Sequence, residues 1–329
     1  MRREAGAAGP ARTGAPHPVA AAVVRTGAPH PVAAAVVRAE DAPGPTLVVE
    51  LAQLPSGAMA SGAELDALRR ALGRTPYARV NKIALYGAAA RPGRDLDYRF
   101  VQALPDGGFD FRTGCGHSLL ACVVAAARPG PVTVHAVTTG DDVRCAPEED
   151  GTGHTLRFLR PPDAPGTLPT GRPVDVLGGL PVSLVRYGNP YVFVDAAHLG
   201  VPDAEQLFRA GDDTLRRLLA LRRHAARTLG LAPRSALPKI AAFTVGPGGL
   251  AVRALTVGGW HPRLALTGAA ALAAAAVLPG TVVPALDGPA RTPGGTVAVS
   301  ADRHGVAVHH KRATVLARPR LPWRIHATA

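Results

Sequence analysis

One pattern occurs twice in the chain, about half a chain apart, and it limits the folds that the sequence can adopt. Residues 113–137 and residues 267–286 each begin with Thr-Gly, continue through an apolar run of small residues, and pass through Pro-Gly into a β-branched segment. Such an apolar run is typical of a buried helix, and the β-branched segment favours a strand. The two copies therefore predict two related domains, each a strand-rich shell around one buried helix.

The length agrees with this division, because 329 residues correspond to about two domains. We place the linker in the Pro-rich stretch over residues 161–173. The predicted units are an extension at 1–24, an N-terminal domain at 25–163 and a C-terminal domain at 164–329. The prediction allows the last strands of the C-terminal domain to pair with the first domain. The expected fold class is α+β.

The pattern along the chain is rich in strands and poor in helices. Apolar runs with helical spacing predict helices over 62–72, 117–127, 204–229 (as two helices) and 268–278. Short runs rich in β-branched and aromatic residues predict strands over 46–51, 80–86, 98–103, 132–138, 182–187, 191–195, 240–245, 250–257 and 296–299.

A second repeat is exact and local. The segment RTGAPHPVAAAVV occupies residues 12–24 and recurs at residues 25–37. Two copies are too few to build a solenoid. We expect the second copy to belong to the fold, and the first to be a loosely held extension or a competitor for the same place.

The net charge of +13 comes from 37 basic residues, of which only three are lysines, against 24 acidic residues. The basic residues are spread along the chain, and aromatic residues make up only 4% of it. Proteins that bind single-stranded nucleic acid interleave cations with aromatic stacking residues, an arrangement that this sequence lacks. We therefore expect no nucleic-acid partner and interpret the charge either as a basic surface without a specific role or as a field that attracts an anionic substrate.

The three cysteines, Cys115, Cys122 and Cys145, show no paired spacing. An odd number of unpaired cysteines argues against a disulfide framework and for a reducing compartment, so a cytoplasmic location is expected. The histidines lack the spacing of a zinc site, and no metal is expected.

No membrane segment is expected. The N-terminus carries no continuous apolar run of the kind found in secretory signals. Residues 264–283 carry no charge, but most of them are alanine and Pro279-Gly280 interrupts them. A buried core helix is therefore expected there rather than a membrane span.

Cys115 is the first candidate for chemistry, because it stands in Gly-Cys-Gly-His-Ser directly before a helical run. Free N–H groups and the helix dipole favour a thiolate at a helix N-terminus. The flanking glycines allow a ligand to approach the backbone, and the same N–H groups suit a carboxylate. A small core cysteine beside a turn is the alternative. Cys122 is expected in the core, and Cys145 on an exposed polar loop.

Lys82 is the second candidate, because a desolvated lysine can lose its proton whereas arginine cannot. It begins an apolar run, and a surface lysine at a strand end is the alternative interpretation. Lys239 follows Pro238 in a similar setting. Lys311 follows two adjacent histidines in a stretch that is expected to be a solvated basic patch.

Short motifs over most of the chain resemble the PrpF-like isomerases, which include methylaconitate and methylitaconate isomerases and oxalomesaconate tautomerases. The matching stretches are Arg25-Thr26-Gly27, Val80-Asn81-Lys82-Ile83, residues 96–102, Cys115-Gly116-His117, Pro169-Thr170-Gly171, Gly188-Asn189-Pro190, Pro238-Lys239, His261 with Thr267-Gly268-Ala269, Pro279-Gly280-Thr281 and Pro293-Gly294-Gly295. The resemblance implies the diaminopimelate-epimerase fold, which this family shares with proline racemases and phenazine-biosynthesis proteins. In that fold two pseudo-symmetric, strand-rich domains each surround a central helix.

The resemblance also implies a site in the cleft between the domains, where the two Thr-Gly helix starts face each other. There, Cys115 and Lys82 would catalyse a 1,3-proton shift on a small unsaturated carboxylate, with an enolate-like intermediate held by helix N-termini and no cofactor. The expected substrate-binding residues are Arg25, Thr26, Gly116, His117, Ser118, Asn189, His261, Thr267, Gly268 and Ala269.

The chain departs from the family in its early loop, which usually reads Arg-Gly-Gly-Thr-Ser-Lys-Gly and here reads RTGAPHP over residues 25–31. This loss of hydroxyl groups favours a specialised substrate with fewer carboxylates. Residues 269–271 at the second helix start are alanines, which counts against a racemase with two thiols. Two alternatives stay open: a racemase or epimerase that uses Cys115 with His117 or another partner, and a non-catalytic binding protein. A homodimer stays open as well.

Overall fold

The computed structural model describes residues 31–54, 58–104, 107–232, 235–256 and 258–322. Its strands are β1 (Pro31–Ala39), β2 (Thr46–Glu50), β3 (Lys82–Ala88), β4 (Leu96–Ala103), β5 (Phe109–Asp110), β6 (Val132–Ala136), β7 (Asp141–Pro147), β8 (His154–Phe158), β9 (Asp175–Leu177), β10 (Leu180–Tyr187), β11 (Asn189–Asp195), β12 (Lys239–Gly246), β13 (Gly249–Thr256), β14 (Gly259–Trp260), β15 (Ala290–Thr292), β16 (Gly295–Val297), β17 (Val299–Asp302), β18 (Gly305–Lys311), β19 (Ala313–Ala317) and β20 (Arg320–Pro322). Its helices are α1 (Ala58–Leu72), α2 (Gly116–Ala126), α3 (Ala204–Arg209), α4 (Asp212–Thr228) and α5 (Leu266–Val277), with short 3-10 helices at Leu51–Gln53 and Ala196–Leu199.

The strands form two sheets. The first runs in the order β17-β18-β8-β7-β6-β4-β3-β2-β1-β19, with β20 also paired to β1 and β5 to β4. The second runs in the order β16-β15-β13-β12-β11-β10-β9, with β14 paired to β13. The last four strands of the described chain thus pair within the first sheet, although they follow the second sheet in sequence.

The two sheets repeat one topology. In the first, β2 and β3 are parallel and flank α1, β3 and β4 are antiparallel, and β4 and β6 are parallel and flank α2. In the second, β11 and β12 are parallel and flank α3 and α4, β12 and β13 are antiparallel, and β13 and β15 are parallel and flank α5. Lys82 and Lys239 are the first residues of β3 and β12, so they occupy equivalent positions.

Helices α2 and α5 lie together in one apolar core that includes residues of both sheets. The small side chains of α5, such as Ala270 and Ala274, are fully buried and leave room for close packing. The sheets are covered on their other faces as well. In β3, Ala84 belongs to the central core, whereas Ile83 and Leu85 pack with α1, as the two-residue period of a strand requires. Helices α3 and α4 pack in the same way on the second sheet.

The predicted helices and strands are present, with ends that differ by a few residues. The uncharged stretch at 264–283 contains the buried helix α5, and within the described residues no helix is long and apolar enough to cross a membrane. The prediction for Cys145 was wrong. It lies on β7, where alternate residues face the core, and it is fully buried.

Of the exact tandem repeat, the structure describes residues 31–37, which lie in β1. This strand pairs with β2, β19 and β20, so the end of the second copy belongs to the first sheet, as predicted. The first copy lies outside the described residues.

Candidate active site

A narrow cavity of about 50 Å³ lies at the N-terminal ends of α2 and α5. Cys115, directly before α2, and Gly116 and His117 of α2 line its walls, as do Lys82 and Lys239, the first residues of β3 and β12. The other lining residues are Pro43, Phe100, Gln102, Thr113, Gly114, Asn189, Tyr191, Leu255, Thr256, His261, Ala265, Leu266 and Thr267. The cavity therefore joins both halves of the molecule at the two helix starts.

Contacts from both sheets hold Cys115 in place. It is the extended residue that precedes α2, and the Tyr98 hydroxyl of β4 donates a hydrogen bond to its carbonyl oxygen at 2.8 Å. The Asn189 side chain of β11 bonds the backbone of the preceding residue twice. Its Oδ1 accepts from the Gly114 N–H and its Nδ2 donates to the Gly114 carbonyl, both at 2.8 Å. The Cys115 position is thus fixed from the first sheet and from the second.

The first residues of α2 and α5 are in contact, and glycine at position 116 makes this close approach possible. A β-carbon added to Gly116 would lie 2.5 Å from Leu266 Cδ2 and 2.8 Å from Leu266 Cβ. A β-carbon on Gly268 would likewise lie 2.6 Å from the Tyr191 hydroxyl oxygen. Because the N–H groups in the first turn of a helix have no partner within the helix, α2 offers donors to an anion at this point.

Lys82 and Lys239 bring two amino groups to the cavity. Lys82 is buried, and its Nζ donates to the Gly44 carbonyl at 3.3 Å. Burial lowers its pKa, the nearby Cys115 opposes that effect, and Arg38 adds to it. Burial also lowers the pKa of Lys239, to about 8. Within the described part of the chain neither lysine forms an ion pair with a carboxylate, so both can interact with a bound anion.

His117 and His261 stack beside each other, with ring centroids 6.3 Å apart and an angle of 18° between the rings. Burial is the main cause that lowers both pKa values, well below the usual range for His117 and to about 4 for His261. Both are therefore neutral at pH 7. Nδ1 of His261 accepts the Arg263 N–H at 3.1 Å, which leaves its Nε2 to carry the proton. Nε2 of His117 is buried and has no hydrogen-bond partner among the residues that the structure describes.

Most of the predicted site residues meet in this cavity. Gly116, His117, Asn189, His261 and Thr267 line it together with Cys115 and Lys82. The amide of Asn189 is occupied by Gly114, so this residue positions the cysteine loop. Arg25 and Thr26 lie outside the described residues.

Three predicted site residues lie behind the cavity wall. Ser118 is fully buried, and its hydroxyl bonds that of Thr46 at 3.0 Å. Gly268 and Ala269 lie in the first turn of α5, where both N–H groups donate to the Ala265 carbonyl, at 2.7 and 2.9 Å. The reason is that α5 begins two residues earlier than the sequence predicts, at Leu266. In this structure the three residues therefore shape the wall.

The two Thr-Gly pairs do not hold equivalent positions relative to their helices. Thr113 precedes α2 by three residues, whereas Thr267 is the second residue of α5. Both threonines nevertheless line the cavity. The two Thr-Gly pairs of the internal repeat therefore lie at one cavity, but their positions relative to the helix starts differ by four residues.

Lys239 is a lining residue with a titratable side chain that was not among the predicted site residues. Its signal is the tripeptide Lys-Ile-Ala, which occurs at 82–84 and again at 239–241. The two tripeptides begin the equivalent strands β3 and β12, and comparing them identifies Lys239 as the counterpart of Lys82.

The expectation that Lys311 lies in a solvated patch was wrong. It is buried, and its Nζ bonds Asp41 Oδ2 at 2.5 Å, while Arg263 Nη1 bonds Asp41 Oδ1 at 2.7 Å. This cluster ties the turn after β1 to β18 and to the segment before α5.

In the described ranges, no group of three or more His, Cys, Asp or Glu side chains is arranged to hold a metal ion.

The sequence model of the PrpF protein family matches residues 150–320, which is more than half of the chain. The chain belongs to the PrpF family. A relative from Novosphingobium sp. (strain KA1), named (4E)-oxalomesaconate Delta-isomerase, is 28% identical over 61% of this chain and 67% of its own length. The 2-methyl-aconitate isomerase of Shewanella oneidensis is also 28% identical, over 71% of this chain and 78% of its own.

Solved structures show that this PrpF chain has the diaminopimelate-epimerase-like fold that the resemblance implied. Methylitaconate-delta-isomerase aligns with a TM-score of 0.65 and 21% identity, over 90% of this chain and 96% of its own. A hydroxyproline epimerase from Agrobacterium vitis aligns with a TM-score of 0.59 and 14% identity, over 89% of this chain and 93% of its own. At these identities the likeness concerns the fold.

Proposed function

We propose that this PrpF protein is an isomerase that moves a double bond in a small unsaturated carboxylate by a 1,3-proton shift. The observation that carries the proposal is that Cys115, at the start of α2, and Lys82 line one cavity. The names of the relatives support it, because these proteins are an oxalomesaconate isomerase and a methyl-aconitate isomerase. A racemase with two thiols is disfavoured, since Cys122 and Cys145 are both buried in the core.

The proton shift needs a base and an acid. The Cys115 thiolate removes the allylic proton, and the electron pair of that C–H bond forms the new double bond while the old one opens toward the far carbon. The Lys82 ammonium group then donates a proton to that carbon. After one turnover Cys115 is a thiol and Lys82 an amine, and transfer of one proton from sulfur to nitrogen restores both. Substrate and product therefore have the same atoms and electrons.

The other lining residues are suited to hold the charge that develops. The ammonium group of Lys239 forms no ion pair with a carboxylate in the described residues, so it can bind the developing negative charge. The first turn of α2 supplies N–H groups. The neutral His261 can donate through Nε2, and the unpartnered Nε2 of His117 can form a further hydrogen bond. Donors that are already in place when negative charge appears on the enolate-like intermediate lower the barrier without further reorganisation.

We also propose that the protein works in the cytoplasm. None of the three cysteines forms a disulfide bond, and two of them are fully buried. Proteins with unpaired thiols of this kind suit a reducing compartment.

Proton NMR in D₂O tests the proposed reaction. The wild-type protein is incubated with 3-methylitaconate, 2-methyl-aconitate and close analogues, and the vinyl and methyl signals are followed. We expect the double bond to move, with deuterium at the carbon that receives the new proton. Inversion at a stereocentre without movement of the double bond would support a racemase instead. Binding of these acids without exchange of any carbon-bound proton would support a non-catalytic protein.

A further inference from the structure

A second cavity opens beside the one that holds Cys115. It has a volume of about 370 Å³ and shares Lys239, Leu255 and Thr256 with the narrow cavity. Pockets for ligands of drug-like size span roughly 300–1,000 Å³, so the second cavity is large enough to bind a group of several carbons. A substrate whose reacting carbons lie at Cys115 therefore has space next to them for a substituent. We call this space the substituent cavity.

The walls of the substituent cavity are largely apolar. Leu215 and Leu219 of α4 lie four residues apart and so share one face of that helix. Ile240 of β12 and Leu255 of β13 contribute from the second sheet, and Leu104 contributes from the first half of the chain. Each methylene group that leaves water for such a surface favours binding, because apolar area is removed from solvent.

The polar groups of the substituent cavity are cations and hydroxyls. Arg222, one turn beyond Leu219, lines it with Lys239, and Arg222 Nη1 donates to the Ser235 carbonyl at 2.9 Å. Among the described lining residues there is no carboxylate. The two cations disfavour a cationic substituent. Because Arg222 already donates to Ser235, the leucine and isoleucine side chains are the larger surface that the cavity offers to a substituent.

We propose that the substrate is an unsaturated carboxylate with an apolar alkyl or aryl substituent of several carbons, and that this substituent binds in the substituent cavity. The inference rests on the proposed function, because the carboxylate bound near Cys115 and Lys239 is what places the substituent beside Leu219.

Isothermal titration calorimetry with 2-alkylsuccinates tests the inference. These acids are saturated, so they can bind at the cavity without undergoing a double-bond shift. In the series methyl-, propyl- and pentylsuccinate we expect the affinity to increase by roughly fourfold for each methylene group that is fully buried. An affinity that stays constant or decreases along the series would overturn the inference.

The variant Leu219→Trp fills the substituent cavity and should remove this gain, so that propyl- and pentylsuccinate bind no more tightly than methylsuccinate. The control is Leu229→Trp, since Leu229 is equally half-buried at the end of α4 but does not line the cavity, and it should keep the gain. If thermal unfolding shows that Leu219→Trp is not folded, Leu215→Trp replaces it. A gain that survives in the folded variant rejects the assignment of the cavity.

The binding test of the substituent cavity can fail or succeed independently of the test of the proposed reaction. If unsaturated analogues show no movement of the double bond while alkylsuccinates still bind with increasing affinity, the proposed reaction fails and the cavity assignment stands. If the double bond moves in methyl-substituted acids but longer chains bring no gain in affinity, the reaction stands and the inference fails.

Discussion

The surroundings of the three cysteine sulfurs differ sharply. Cys115 is half-buried and lines the cavity, whereas Cys122 and Cys145 are fully buried, and burial raises the pKa of both of these thiols. We therefore expect iodoacetamide at pH 7 to alkylate Cys115 first, with the other two reacting only on unfolding. Mass spectrometry of the digested protein maps the modified residue over time. Earlier labelling of Cys122 or Cys145 in the folded protein would show that Cys115 is not the reactive thiol.

Lys239 gives a prediction for pH dependence. Its pKa is lowered to about 8, so its amino group is charged below that pH and becomes neutral above it. If the charged form binds the substrate carboxylate, KM should be constant below about pH 8 and rise above it.

The matched variant is Lys239→Arg, whose guanidinium group stays charged at every accessible pH. We expect the rise in KM above pH 8 to disappear in this variant, and kcat to change much less than it does when Cys115 is replaced. KM measured from pH 6 to about pH 10 provides the comparison. A rise that persists unchanged in Lys239→Arg would assign the titration to another group.

Single residues with unusual chemistry were visible in the sequence, whereas their partners were not. Cys115 between two glycines and Lys82 at the head of an apolar run could be selected from their neighbours in the sequence. The burial of Lys311 could not, because its partner Asp41 is far away in sequence and they meet only when β18 has paired in the first sheet.

At the scale of secondary structure, the contact between the starts of α2 and α5 controls the geometry of the site. Replacing Gly116 with Ala puts a β-carbon against Leu266, including its Cβ, which cannot move away by a rotation of the side chain. We expect Gly116→Ala to lower the free energy of unfolding by about 1–3 kcal/mol, the usual cost of overpacking, and to reduce turnover. Urea denaturation and steady-state rates measure the two effects.

Gly62→Ala is the control for this change. Gly62 lies in α1, and among the described residues no atom outside the neighbouring helix backbone lies within 4 Å of the position that its β-carbon would take. Because alanine favours a helix over glycine by about 1 kcal/mol, this variant should be as stable as the wild type or more so. Equal effects of the two substitutions would show that the contact between α2 and Leu266 does not limit the site.

Helices and central strands were predictable because they are long, apolar and periodic. The strands that were missed, among them β7, β8 and β18, are more polar or lie in stretches interrupted by turn residues. Their identity depends on pairing with strands distant in sequence, as β18 pairs with β8, and local periodicity does not record such pairing. The start of α5 was predicted two residues late, because no capping side chain marks it.

At the scale of the whole molecule, the internal repeat was the most informative feature. It predicted two related halves, and the equivalent order of strands and helices around α2 and α5 agrees with it. The repeat could not show that the strands after residue 299 pair with the first sheet, nor that Lys239 mirrors Lys82. The pairing of the last strands depends on how the two halves are placed in space, whereas the second tripeptide Lys-Ile-Ala does mark Lys239 in the sequence. The site therefore belongs to the whole fold, since each half supplies one lysine and one helix start.

The central claim is that Cys115 and Lys82 transfer the proton. It is tested most directly by the rate of deuterium incorporation from D₂O into a substrate that the wild type isomerises. We expect Cys115→Ser and Lys82→Arg each to lower this rate by about 10²–10⁴-fold, while thermal unfolding stays close to the wild type and Cys145→Ser keeps the wild-type rate. Wild-type rates of deuterium incorporation in a folded Cys115→Ser or Lys82→Arg variant would contradict the account.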